Sequence, residues 1–203
     1  MIKVTEAEVL ALKGPNQIFG EWKAYLQFIQ TYCIKHEIAN PVVVELGAQY
    51  SRQKAHYERF LDAIHIGIDK SDALSKPDIL GNTHSPETLK RLKAILGAVG
   101  NGKINILFID ATHTYVDALA DYLMYGPLVS DIIAFHDIRH EKEIGQLWAD
   151  IQASEKGNPN ISFISIGAWA NGWCELGIGI IVKRSNDEIR EITDEFRVGG
   201  RNG

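Results

Sequence analysis

The chain has 203 residues, 45% of them hydrophobic and 23% charged, which fits one ordinary globular domain with a real core and excludes a disordered or fibrous chain. Its formal charge of −5 gives no electrostatic basis for partners such as nucleic acid or an anionic membrane, and no apolar run approaches the length needed to cross a bilayer. Cys33 and Cys174 match no zinc spacing and read as buried free thiols; with an N-terminus lacking the apolar core of a signal peptide, they set a cytoplasmic expectation.

In chain order, Thr5 to Leu12 reads as a short helix stopped by Gly14-Pro15. From about Phe19 to His36 the residues Trp22, Tyr25, Leu26, Phe28, Ile29, Tyr32 and Cys33 recur at helical spacing, a stripe that reads as core packing. That aromatic helix packs either on its own sheet or on a second subunit, so a homo-oligomer stays open. Asn40-Pro41 breaks the pattern. Val42 to Gly47 is strand one, His56 to Leu61 continues a helix behind it, and Ala63 to Asp69 is strand two.

A short strand near Asp78 to Leu80 follows. Ser85 as N-cap with Pro86 at the first helical position starts a helix over Glu87 to Leu96, which stops in the Gly97, Gly100, Gly102 stretch. Ile104 to Asp110 is strand four, and a helix from about Tyr115 to Tyr125 ends at Gly126-Pro127. Ile132 to Phe135 is strand five, followed by a helix across Ile144 to Ala153 and a turn at Gly157. Ile161 to Ile166 and Gly177 to Val182 are two last strands, joined by a loop holding Trp169 and Trp173. Strand alternating with helix predicts an α/β fold: a Rossmann-like, doubly wound, mostly parallel sheet in three α/β/α layers, with an antiparallel pair at one edge. Residues 1–40 are then an N-terminal helical segment, 41–185 the main domain, and 186–203 a C-terminal helix or polar tail.

Two apolar runs end abruptly in acid and imidazole: Ile106 to Ile109 runs into Asp110, with His113 and Tyr115 just beyond, and Ile132 to Phe135 runs into His136 and Asp137. Ligands of open α/β sheets bind outside the carboxyl ends of the strands, so these residues are candidates to converge on one cleft. Glu45-Leu-Gly47 ends strand one before a helix. Gly47 there serves either a tight turn or the close approach of a ligand to the backbone. Asp69, about twenty residues on, is placed either to hold a ribose hydroxyl pair or to cap a helix. The pair His136 and His140 has helical ligand spacing without the zincin order, and reads as loop and surface. Trp169 and Trp173 form an aromatic lid or simply pack their loop. His56, His65 and His84 have no evident partners.

In that order, Glu45-x-Gly47, Asp69, Gly81 to Thr88, Asp110-x-x-His113-x-Tyr115, Gly126 to Val129 and Phe-His136-Asp137-Ile, the chain resembles the class I S-adenosylmethionine-dependent methyltransferases. It looks most like the branch containing macrocin-type sugar O-methyltransferases and cephalosporin-hydroxylase-like proteins. The resemblance covers roughly Pro41 to Lys183, and its specific part is Asp110 to Asp137. It implies that Glu45 and Gly47 line the methionine and ribose part of the cofactor, with Asp110 beside it. Asp69 would bind the ribose hydroxyls, and Asn82 and Thr83 would sit beside adenine. It further implies that Asp110 and Asp137 hold a divalent metal (Mg²⁺ or Mn²⁺), and that His113 is the general base; a helix-start role for His113 stays open, and His136, standing where metal users carry a second acid, is either a further metal ligand or a cofactor-side residue. Three positions depart from the pattern: Ser51 stands at the second glycine, Asn82 replaces an acid, and Asp131 stands where the family turns on glycines before strand five.

The implied chemistry is coherent. Carboxylate oxygens suit magnesium, a bound cation lowers a hydroxyl's pKa, and imidazole accepts a proton near neutrality. The expected activity is O-methylation of a small-molecule hydroxyl on a sugar, a glycosylated metabolite or a phenol. Two alternatives are a nicotinamide-dependent oxidoreductase, against which the absence of a full G-x-G-x-x-G counts, and a non-catalytic cofactor-binding or partner-binding module.

Overall fold

Short runs of β-branched residues bordered by glycine and acid have two ways to bury their apolar surface, and here they take the one with helices on both faces. The structure, a computed structural model, describes residues 1–12, 17–99, 102–167 and 176–199. Gly14-Pro15, Gly100, the Trp169 and Trp173 loop, Cys174 and the tail from Gly200 lie outside the described residues.

Helices α1 (Glu6–Leu10) and α2 (Phe19–Lys35) precede β1 (Val42–Leu46), α3 (Arg52–Leu61), β2 (Ile64–Asp69), β3 (Ile79–Leu80) and α4 (Pro86–Val99). Then come β4 (Ile104–Ile109), α5 (Tyr115–Tyr125), a 3₁₀ turn over Gly126–Leu128, β5 (Val129–Phe135), α6 (Lys142–Ser154), β6 (Ser162–Ile166), β7 (Ile178–Val182) and α7 (Asn186–Gly199). The sequence pattern misses the first turn of α3, the last turn of α4 and the first three residues of β5, which apart from Val99 and Val129 are polar or small. The C-terminal segment forms a helix as far as Gly199. None of the described helices is long and apolar enough to cross a membrane.

The seven strands lie in the order β3-β2-β1-β4-β5-β7-β6. All pairings from β3 to β5 are parallel, and β7 runs antiparallel to both β5 and β6. The expected antiparallel pair is therefore present, with the reversed strand one place in from the edge. Burial explains the order: every residue of β7 is buried, as an inner strand requires, whereas β6 exposes Ser165.

Alternate strand residues feed two separate apolar layers. Val43, Ile106, Phe108, Ile132 and Ile180 pack with α1, α2, α3 and α7, while Val44, Leu107, Ile109, Ile133 and Ile181 pack with α4, α5 and α6. Helix α2 packs on its own sheet. Its Trp22 is fully buried, with ring centroids 5.3 Å from Tyr25, 5.6 Å from Tyr57 and 5.7 Å from Phe108. Tilted and edge-on rings at such distances add attraction beyond the area they bury. Cys33 lies in this layer as a buried free thiol, and burial pushes its pKa up to about 12.

Asp131 corrects the family pattern. It lies inside β5, not in the turn before it, and is buried. One carboxylate oxygen accepts from Tyr32 Oη at 3.1 Å; the other accepts from Asn105 Nδ2 at 3.0 Å and Ser130 Oγ at 2.6 Å. Arg184 donates to Tyr32 Oη at 2.8 Å and lies 3.6 Å from the same carboxylate. A buried charge is tolerated when it is paired and hydrogen-bonded, and here that network ties α2, β4, β5 and the end of β7 together. Tyr32→Phe removes the shared hydroxyl and leaves the Asp131 carboxylate and the Arg184 guanidinium each short of a partner. Urea denaturation should show a loss of about 1–3 kcal/mol; an unchanged midpoint would mean the network carries no stability.

Candidate active site

The four central strand ends are stitched together by backbone bonds just past the ladder. Gly47 N–H donates to Ile68 O at 2.9 Å, Asp110 N–H to Leu46 O at 2.9 Å and His136 N–H to Ile109 O at 3.1 Å. The chain turns one way from β1 to β2 and the other way to β4, so the crevice above β1 and β4 is the switch point at which ligands bind such sheets. A cleft of about 660 Å³ opens there, lined by Gly47, Asp69, Asn82, Asp110, His113 and Asp137 among others.

On one wall stand the residues expected to meet a cofactor. Gly47 has φ +87°, and a Cβ on it would lie 2.1 Å from the Asp110 carbonyl oxygen and 2.6 Å from Ala111 Cα. Both readings of this glycine meet here: it lines the cleft, and the backbone it must approach is the chain's own. Ser51 keeps the left-handed conformation a glycine would favour (φ 50°), with its hydroxyl 2.9 Å from that of Ser75. Asp69 accepts from Gln49 N–H at 2.8 Å and Ser71 N–H at 2.9 Å, so it orders both loops beside the cleft while further lone pairs remain.

Asn82 is exposed and spends its Oδ1 on His84 N–H at 2.9 Å, leaving its amide to donate. Thr83 is buried, its carbonyl accepting from Tyr125 Oη at 2.6 Å. Glu45 is completely buried behind the cleft wall, 2.8 Å from His65 Nε2, which stacks on Tyr57. Burial raises the Glu45 pKa, and His65 offsets only part of that rise.

The opposite wall brings Asp110, His113, His136 and Asp137 together. Consecutive strand residues point to opposite faces. The chain bends at His136, and Asp137 sits in the left-handed region at φ 60°, which lets both side chains reach Asp110. His113 Nε2 lies 3.5 Å from Asp110 Oδ1 and 3.2 Å from Asp137 Oδ2; its Nδ1 faces Glu141 Oε1 at 3.7 Å. His136 Nδ1 lies 3.3 Å and 3.1 Å from the same two oxygens.

Asp110 raises the His113 pKa against the opposing effect of burial, and the charges of Asp137 and Glu141 add to the rise. Burial works to lower that of His136, but Asp110 and Asp137 overcome it and push it up to about 9. Burial raises the Asp110 carboxyl, yet the imidazoles and the Gln17 amide outweigh it and hold the carboxyl below its ordinary range. An imidazole faced by three carboxylates holds its proton firmly, which works against the base role expected of His113 while those carboxylates have no other partner.

Sequence reasoning missed four residues of the site. Gln17 Nε2 donates to Asp110 Oδ2 at 2.8 Å from the N-terminal segment, a contact across ninety-three positions that no local signal announces. Gln53, in the first turn of α3, is buried and lines the cleft. His84 lies 3.2 Å from Asp121 Oδ1, and Asp121 is completely buried in α5 with its pKa raised by that burial. Asp117 and Asp121, two acids at i and i+4 in an otherwise apolar helix, were the available clue. His140, by contrast, is on an exposed turn, as its spacing suggested.

Buried polar atoms are normally paired, and those left over point to an absent partner. Gln17 Oε1, Gln53 Oε1, Thr112 Oγ1, His136 Nε2 and Asp137 Oδ1 have no hydrogen-bond partner among the described residues, and all lie at or beside this cleft. Glu45 Oε1 is a further orphan behind the wall. These groups fit a polar ligand that both donates and accepts. The Gly47 contact sets the cleft's shape, so Gly47→Ala should cost about 2–4 kcal/mol through strain at positive φ and overpacking. Gly97→Ala, in a helix with nothing within 4 Å of the added carbon, should be neutral or stabilising by about 0.5–1 kcal/mol. Equal effects of the two in urea denaturation would contradict the contact.

No protein-family model and no curated protein sequence matches this chain. Solved structures do. An O-methyltransferase from Bacillus cereus in complex with SAH superposes with a TM-score of 0.54 at 15% identity, covering 88% of this chain and 86% of its own. The O-methyltransferase TomG from Streptomyces achromogenes, involved in tomaymycin synthesis and in complex with SAM, gives 0.52 at 11% identity, with 90% and 88% covered. MycE, from the mycinamycin biosynthetic pathway in complex with Mg and SAH, gives 0.50 at 16% identity over 80% of this chain and 51% of its own. At such identities the likeness is one of architecture, and the architecture is that of the Rossmann-like methyltransferases.

Proposed function

We propose that this chain is an S-adenosylmethionine-dependent methyltransferase that methylates a hydroxyl of a small molecule, a sugar, glycosylated metabolite or phenol. One observation carries the reading: at the switch point of a methyltransferase-like sheet, a cleft joins a wall of nucleoside-compatible groups to a carboxylate–imidazole cluster, with buried polar atoms unpaired between them. Solved structures of the same architecture that bind SAM or SAH, one of them with Mg, support it.

In this reading Asp69 holds the ribose hydroxyls through the lone pairs that Gln49 and Ser71 leave open. Gly47 forms the floor beneath the ribose and methionine, and the orphaned oxygen of Gln53 offers an acceptor for the amino-acid end, while Glu45, expected to line the cofactor, stands behind the wall. Asn82 and Thr83 stand by the adenine, where the committed Asn82 Oδ1 leaves an amide donor suited to a ring nitrogen. The acceptor hydroxyl is oriented, and its proton handled, by Asp110, His113 and Asp137. A divalent cation held by Asp110 and Asp137, with His136 beside them, would lower the hydroxyl's pKa when bound. Residues 41–185 carry both walls, and 1–40 add Gln17 behind Asp110. The buried thiol of Cys33 suits a reducing cytoplasm.

Calorimetric titration with S-adenosylhomocysteine, with and without Mg²⁺ or Mn²⁺, tests the cofactor half. Saturable binding that Asp69→Ala weakens about tenfold or more is expected from loss of charged hydrogen bonds. Preference for a nicotinamide dinucleotide would overturn the reading. With an acceptor found by screening sugars and phenols, His113→Ala should lower kcat about a hundredfold or more while cofactor binding persists.

A further inference from the structure

We infer that β6 is a docking edge for a second copy of this chain. The two β6 strands pair antiparallel about a twofold axis at Ile164 and join the two sheets into one. The inference goes beyond the methyltransferase reading and does not rest on it.

The neighbouring strand fixes which backbone groups of β6 point outward. Lys183 N–H donates to Asp131 O at 2.8 Å, and these residues stand opposite each other, one step beyond the paired Ile132 and Val182. Bonded pairs alternate along an antiparallel ladder, so Ile181 and Gly179 also face β5, whereas Val182, Ile180 and Ile178 turn to β6. Their partners there are Ser162, Ile164 and Ile166. Because β6 ends the strand order, the N–H and C=O groups of Phe163 and Ser165 point away from the sheet.

The two edges of the sheet are guarded unequally. At the far edge, β3 has only two residues, follows Pro77 and the charged Asp78, and gives its Leu80 carbonyl to Arg91 Nη1 at 2.9 Å. Short length, proline, charge and covering side chains are the means by which an edge is kept from pairing. The segment Ser162–Ile166 has none of the first three: it is five residues long, carries no charge or proline, and pairs with β7 without a bulge. Beside it lies a cavity of about 680 Å³, lined by Phe163 to Ile166, by Phe28 of α2 and by Ile189, Arg190 and Asp194 of α7 among others.

This edge fits itself. With Ile164 opposite the partner's Ile164, Phe163 and the partner's Ser165 exchange both of their outward groups, and the twofold repeats the exchange. The Phe163 ring, held edge-on to Trp148 at 5.6 Å, then lies across from a small side chain. A twofold contact sets each face against its own copy, so a rim of one sign would repel itself. The α7 rim carries both signs, Arg190 and Asp194 one turn apart, which allows unlike charges to meet across the axis. In the sheet β6 stands three places from β4, so association leaves the cleft above β1 and β4 open.

Sedimentation velocity of the full chain, over about a hundredfold range of concentration around micromolar, should show a monomer–dimer equilibrium. Ser165→Pro removes an N–H that the twofold uses twice, so association should weaken about tenfold or more. The fold should persist, because that N–H takes no part in the bonds to β7. Ser165→Lys changes an exposed side chain and should have the same effect, which keeps the test decisive even if proline disturbs the strand. In the dimer, the Phe163 and Ser165 amides should exchange with deuterium more slowly than in the dilute monomer. A chain monomeric throughout, its edge left to some other protein's strand, would overturn the inference. So would a dimer indifferent to both substitutions, or one in which those two amides exchange as fast as in the monomer.

Discussion

Everything at the top of this sheet depends on how closely the turn after β1 lies against the backbone that follows β4. Gly47 leaves no room for a side chain there, since a Cβ would sit 2.1 Å from the Asp110 carbonyl oxygen. Backbone bonds from Gly47 to Ile68, from Asp110 to Leu46 and from His136 to Ile109 then hold four strand ends in one row. Because of that row, Asp69 on one side and Asp110 and Asp137 on the other face a common space. The two halves of the site are thereby coupled through the backbone: a shift that relieved crowding at Gly47 would move Asp110 as well.

Two polar clusters on this sheet differ in how far their carboxylates are paired. At the bottom, Asp131 accepts from Tyr32, Asn105 and Ser130 and has Arg184 nearby, so its carboxylate is compensated from several elements at once. At the top, Gln53, Thr112, His136 and Asp137 keep unpaired atoms. Leaving such an atom unmet costs about 1–3 kcal/mol, so the unpaired groups gathered at the cleft lower the stability of the fold. The fully paired network at the bottom and the two aromatic and aliphatic layers give the scaffold that can carry this cost.

The layers, the parallel strands and the location of the cleft were legible because they rest on local pattern. Val42 to Leu46 and Ile104 to Ile109 have the length and composition of buried strands, and acid at their ends marks the ligand-binding edge. Strand order was less legible, since the placement of β7 inside β6 depends on which of two apolar strands can afford a solvated edge. Asp131 misled for a related reason: an acid before an apolar run reads as a turn, and only contacts from α2 and from Arg184 make its burial tolerable. Gln17, His65 and Asp121 were illegible in the same sense, each deriving its role from a partner distant in sequence or hidden under a helix.

His113 shows where residue type alone stops being informative. An imidazole near neutrality is the default proton acceptor, and the sequence context invites that role. Three carboxylates within 3.7 Å change the balance, because each stabilises the protonated ring. His136, more deeply buried, is drawn the same way by the same two aspartates. A pair of protonated rings offers no base, and a pair of unprotonated rings would leave the carboxylates facing one another without compensation. The two aspartates, each within 3.5 Å of both rings, therefore set how readily either imidazole gives up its proton.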